Sequence, residues 1–72
     1  MRALKGTKII FENRSSTMDC TVRNISETGV KIALPAPTAL PENFFLRMED
    51  GREFRCVVRW RKLAEFGLEF LR

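Results

Sequence analysis

Histidine and tyrosine are absent from this sequence, which carries one tryptophan, two cysteines, three prolines and four glycines. Without histidine, Ser-His-Asp and Cys-His nucleophilic arrangements are impossible. A structural zinc site usually takes four Cys or His ligands, and Cys20 and Cys56 are the only two candidates, so no metal site is expected. No apolar run approaches the roughly 20 residues a membrane-spanning helix requires. The first stretch, Met1 to Asn13, has charge but no sustained apolar segment of the kind a secretory signal carries. A cytoplasmic chain is therefore expected. No carboxylate pair or nucleophile-base pair stands out among its acidic residues, so a binding protein is expected rather than an enzyme, with no cofactor and no catalytic residue.

What is present fits one small domain over residues 1–72. Chains this short bury only about 60% of the surface their unfolded form exposes, and cannot divide one core between two units. Hydrophobic residues at 44% and charged residues at 31% describe a globular chain rather than a disordered or membrane-bound one. A net charge of +4 and a pI near 9.7 favour anions: nucleotides, nucleic acids or acidic protein faces. The two cysteines could form one disulfide. Each sits among alternating apolar neighbours, however, where a reduced thiol behaves as a small buried hydrophobe, and that is the reading adopted.

Apolar residues recur at every second position, which is the period of a half-buried strand. Met18, Cys20 and Val22 alternate with Asp19, Thr21 and Arg23. Val30, Ile32 and Leu34 alternate with Lys31 and Ala33. Phe44, Leu46 and Met48 do the same, and Phe54, Cys56, Val58 and Trp60 form the longest such face. On that pattern Trp60 belongs to the core. Arg55, Arg59 and Arg61 would share the opposite, wet face as a row of cations, and Phe45 and Val57 would form a small outward apolar patch. Pro35, Pro37 and Pro41 mark a stiff connection, and Asp50-Gly51 marks a hairpin. The expected strands are 4–11, 17–25, 28–34, 43–49, 52–61 and 66–71. Six strands with short links and no substantial helix predict an all-β fold, a closed or nearly closed antiparallel barrel that leaves no open sheet edge.

Between the second and third strands the alternation breaks at Arg23-Asn24-Ile25-Ser26-Glu27-Thr28-Gly29. Taken alone, this is a strand-to-strand turn: Asn and Ser hydrogen-bond local backbone, and Gly29 supplies a positive φ or a close backbone approach. The spacing Asn24-x-Ser26-x-x-Gly29 also matches the D/N-x-S-x-x-G signature of PilZ domains. It is followed by Val30-Lys31-Ile32 where that family has a strand. Val57-Val58-Arg59-Trp60 and Phe66-Gly67-Leu68-Glu69-Phe70 resemble the family's last two strands. From about Asp19 to the C-terminus the chain thus resembles a PilZ domain, which implies a six-stranded barrel and a bacterial cytoplasmic module that binds cyclic di-GMP.

The residue types suit such a ligand, because guanine presents N–H donors, and the Asn24 amide oxygen and Ser26 hydroxyl are small acceptors. Their spacing of two puts both side chains on one face if the strand stays regular. The resemblance also implies an N-terminal R-x-x-x-R arm whose guanidinium groups grip phosphates in a bidentate fashion. Here that motif is incomplete. Counting back from Lys5 reaches Met1, and counting forward from Arg2 reaches Gly6. Either the sequence begins inside the arm, or the chain is a divergent member that binds the dinucleotide weakly or not at all.

The expected ligand-binding residues are Arg2, Lys5, Arg23, Asn24, Ser26 and Gly29, with cyclic di-GMP as candidate ligand and a protein of unspecified identity as the partner that receives the signal. One alternative is an adaptor of the same fold that binds protein only. Another, ranked lower, is a small basic barrel for single-stranded nucleic acid, which would need exposed aromatics interleaved with charge.

Overall fold

The computed structural model describes residues 4–71, with side chains from Gly6 to Leu71. Six strands run in order: β1 Leu4–Ile10, β2 Thr17–Ile25, β3 Gly29–Ala33, β4 Asn43–Arg47, β5 Glu53–Lys62 and β6 Glu65–Phe70. Each expected strand is present with its ends within two residues of the expected ones. There is no helix among the described residues, and hence none long and apolar enough to cross a membrane.

Every neighbouring pair is antiparallel, in the order β1-β2-β3-β6-β5-β4, and β4 returns to pair with β1. That last pairing, Lys8 to Arg47 through Ile10 to Phe45, closes the barrel and covers the two edges an open sheet would expose. The inward set is the alternating one: Ile9, Cys20, Val22, Val30, Ile32, Phe44, Leu46, Cys56, Phe66 and Leu68 are all buried in one cluster. Cys20 and Cys56 are free thiols in that core. Leu34 and Leu40, at the two ends of the proline-containing connection, join it. The connection is tied down by the Leu34 N–H donating to the Ala64 carbonyl (2.8 Å) and by Arg61 Nη1 donating to the Leu40 carbonyl (2.6 Å).

On the outer wall, Phe45 is half-buried and pairs with Ile10, which is buried outside the core cluster. The guanidinium groups of Arg14 and Arg55 lie 4.5 and 5.3 Å from the Phe45 ring centroid. Arg14 is in turn held by Glu53 and Arg55 by Glu12. The expected outward patch at Phe45 is therefore already covered by this chain's own cations. Val57 lies apart from it, opposite Asn43 and Glu69.

Three register breaks interrupt the alternation, in β1 between Leu4 and Thr7, in β2 between Val22 and Asn24, and in β5 between Val58 and Trp60. A bulge sets two residues against one, so every side chain beyond it changes face. The β5 bulge overturns the expectation for Trp60. Its period-two series ends at Val58, and the indole stands on the outer wall, 44% exposed. The same bulge breaks the expected row of arginines. Arg55 pairs with Glu12, Arg59 with Glu69, and Arg61 turns to the Leu40 carbonyl.

Candidate functional site

The β2 bulge has the matching effect on Asn24. In a regular strand Asn24 would share the inward face of Val22, two residues before it. With the extra residue at Arg23, Asn24 pairs instead with Lys31, whose neighbours Val30 and Ile32 are the buried ones. Asn24 is therefore exposed on the outer wall, and its amide has no hydrogen-bond partner among the described residues.

Lys31 pairs across β3 and β6 with Gly67, and Gly67 pairs across β6 and β5 with Trp60. Asn24, Lys31, Gly67 and Trp60 thus form one row over four adjacent strands, with a bulge at each end turning the terminal side chain outward. Three interstrand spacings give the row a length of roughly 14 Å. An open depression of about 250 Å³ lies over it, lined also by Ile25, Ser26, Gly29, Val30, Arg59 and Leu68.

Glycine is required at two of these places for lack of room. At Gly67 a Cβ would run into Trp60 Nε1 and Cε2, so the indole occupies the space where a side chain would be. At Gly29 a Cβ would meet the Leu68 carbonyl oxygen at 2.4 Å. Of the two roles open to Gly29, close approach is the one it fills, since it is not among the positive-φ glycines.

Ser26 makes the local backbone hydrogen bonds that the turn reading expects. Its hydroxyl accepts from the Gly29 N–H (3.2 Å) and the Thr28 N–H (3.4 Å) and donates to the Gly29 carbonyl (3.3 Å), while its own N–H donates to the same carbonyl (2.8 Å). The Phe70 N–H donates to the Thr28 carbonyl (2.8 Å) and straps the corner to β6. The serine shapes the corner from which Asn24 projects.

Arg23, the bulge residue, lines a separate groove of about 650 Å³ over β1 to β3, with Lys8, Asp19 and Thr21, rather than the depression that holds Asn24. Lys5 belongs to β1, but its side chain lies outside the described residues, as does all of Arg2. Leu4 pairs with Val22, so the N-terminal end of β1 runs toward the Asn24 end of β2.

Lys31, Arg59, Trp60 and Gly67 are the site residues that sequence reasoning missed. Lys31 stands 3.7 Å from Glu65, and Arg59 Nε donates to Glu69 Oε1. The signal for Trp60 was local: a glycine seven residues after a tryptophan across a two-residue hairpin is placed to receive a ring, but the bulge that aligns them is not visible in the pattern. Trp60 is the only exposed aromatic ring among the described residues, so the interleaved aromatics a single-strand binder needs are not on this surface. No group of three or more potential metal ligands occurs among the described residues.

The closed antiparallel barrel thus presents an unpartnered amide, an exposed indole and two cations over one shallow depression. The chain belongs to the PilZ domain family, whose model matches it over residues 2–72. Neither a curated protein nor a solved structure matches it.

Proposed function

We propose that this chain is a cytoplasmic PilZ-family receptor for cyclic di-GMP, working as a binding module that passes ligand state to a partner protein. The observation that carries this reading is the four-strand row ending in Asn24 and Trp60. A guanine stacked on the free face of Trp60 gains a flat apolar contact of the kind worth about 1–3 kcal/mol per base. The Asn24 amide oxygen accepts from the N–H groups on a guanine edge. The family resemblance assigns Arg2 and Lys5 to the phosphates of the same ligand, and ligand contacts by them would add to the surface offered to a partner.

Trp60 is the only tryptophan, so emission excited at 295 nm reports on this depression alone. Titration with cyclic di-GMP is expected to quench it and to release heat in calorimetry. Asn24→Ala is expected to weaken binding about tenfold, the value of one good hydrogen bond to a desolvated edge. Absence of both signals at millimolar ligand, in a chain carrying its native N-terminus, would sink the reading.

A second reading, an adaptor of this family that binds protein only, is favoured by one observation: the Ser26 hydroxyl is already engaged within its own corner. It predicts partner capture that is unchanged by cyclic di-GMP and by Asn24→Ala.

A further inference from the structure

The arm motif provides one arginine where two would be needed, yet a cyclic dinucleotide carries two phosphates. We propose that Arg59 and Lys31 on the barrel wall supply the missing phosphate-binding cations, each kept in place by a carboxylate, Glu69 and Glu65, that an arriving phosphate has to compete with. The inference rests on the reading of this depression as a dinucleotide site and assigns it two further binding residues and two restraining ones.

Arg59 and Lys31 lie on opposite sides of the β6 backbone at Gly67, and both line the depression that holds Asn24 and Trp60. A phosphate attached to a base on the indole would lie within reach of either. Arg59 uses its Nε–H on Glu69, which leaves the terminal Nη groups able to take a phosphate oxygen while the guanidinium stays oriented. Lys31 and Glu65 are separated by 3.7 Å with both side chains well exposed, so that pair opens at little cost.

Glu69 therefore acts in two ways of opposite sign. Its oxygen orients Arg59, and its charge repels the phosphate. Glu69→Gln separates them, because the amide oxygen still accepts the Nε–H while the charge is gone. Removing one unit charge roughly 6 Å from a phosphate in a water-like dielectric is worth about three- to tenfold in affinity, more at low salt.

The test uses the full chain and two probes, cyclic di-GMP and inorganic pyrophosphate, read from the single indole N–H resonance and from the Arg59 side-chain resonances. Glu69→Gln is expected to bind both probes about three- to tenfold more tightly, and Arg59→Gln to lose roughly tenfold or more. If pyrophosphate obeys this pattern while cyclic di-GMP does not bind, the phosphate site stands and the cyclic di-GMP reading falls. If cyclic di-GMP binds with unchanged affinity in Arg59→Gln, or more weakly in Glu69→Gln, the phosphate site is overturned and the receptor reading survives. If neither probe moves any of these resonances, both are overturned.

Discussion

Thr7 is the single buried polar residue of the described chain, 1% exposed, and its hydroxyl has no hydrogen-bond partner. It follows the β1 bulge at Gly6, whose φ of 81° is one that only glycine adopts freely, and it pairs with Cys20 in the core. A buried hydroxyl without a partner carries a desolvation penalty of about 1–3 kcal/mol. Thr7→Val keeps the shape and removes the polar atom. It is expected to raise stability by about 1 kcal/mol, seen as a melting temperature about 4–8 °C higher. Sequence reading had no access to this, since a lone threonine in a strand is ordinary and only the register shows which way it faces. The motif residues divide in the same way. Asn24, Ser26 and Gly29 were legible as a set, but their separate roles came from geometry: an outward amide, a hydroxyl that ties the corner, and a glycine against the Leu68 carbonyl.

At the scale of the strands, local alternation sufficed to find all six, because period two is imposed by the pleat and survives any tertiary context. Its failures coincide with the bulges. Residues before Arg59 in β5 follow the expected faces and residues after it do not, which is why Trp60 was expected inside and is found outside. Deleting Arg59 removes the extra residue and sets Trp60 directly after Val58, where regular alternation keeps the indole on the outer wall across from Gly67. The expected result is a folded variant whose tryptophan emission is unshifted. A blue-shifted emission, from an indole turned into the core, would show that Arg59 is not the extra residue that sets the orientation of Trp60.

For the molecule as a whole, closure of the barrel buries both thiols in one core. Burial pushes the Cys20 thiol up to about 12, with Asp19 and Cys56 adding to the effect, and burial alone pushes Cys56 up to about 12. Both groups have folded values above their unfolded value of 9.0. The stabilisation is therefore complete below pH 9 and is lost as the pH rises from there toward 12, by as much as about 1.4 kcal/mol per pH unit for each thiol. Urea midpoints measured under reducing conditions should fall along that limb, and the double substitution Cys20→Ala, Cys56→Ala should flatten it. Acid acts through other groups. Hydrogen bonds from Arg47 and then Arg14 hold the Glu53 carboxyl below its usual range, so that contribution is present above the usual carboxylate pKa and disappears as the pH falls through the lowered one.

The amino-acid sequence by itself determined the six strands, the inward face of most of them, the exclusion of histidine-based catalysis and the corner that carries the family motif. Each of these depends on residue type and near-neighbour spacing. Only the tertiary structure decided which outward side chains meet. The pair Asn24 and Lys31 lies far in the chain from the pair Trp60 and Gly67, and the register of three strand pairings and two bulges brings all four into one row. A one-residue change in register moves a side chain to the other face of the sheet, and pairing between distant strands is settled by closure of the whole barrel rather than by any segment within it.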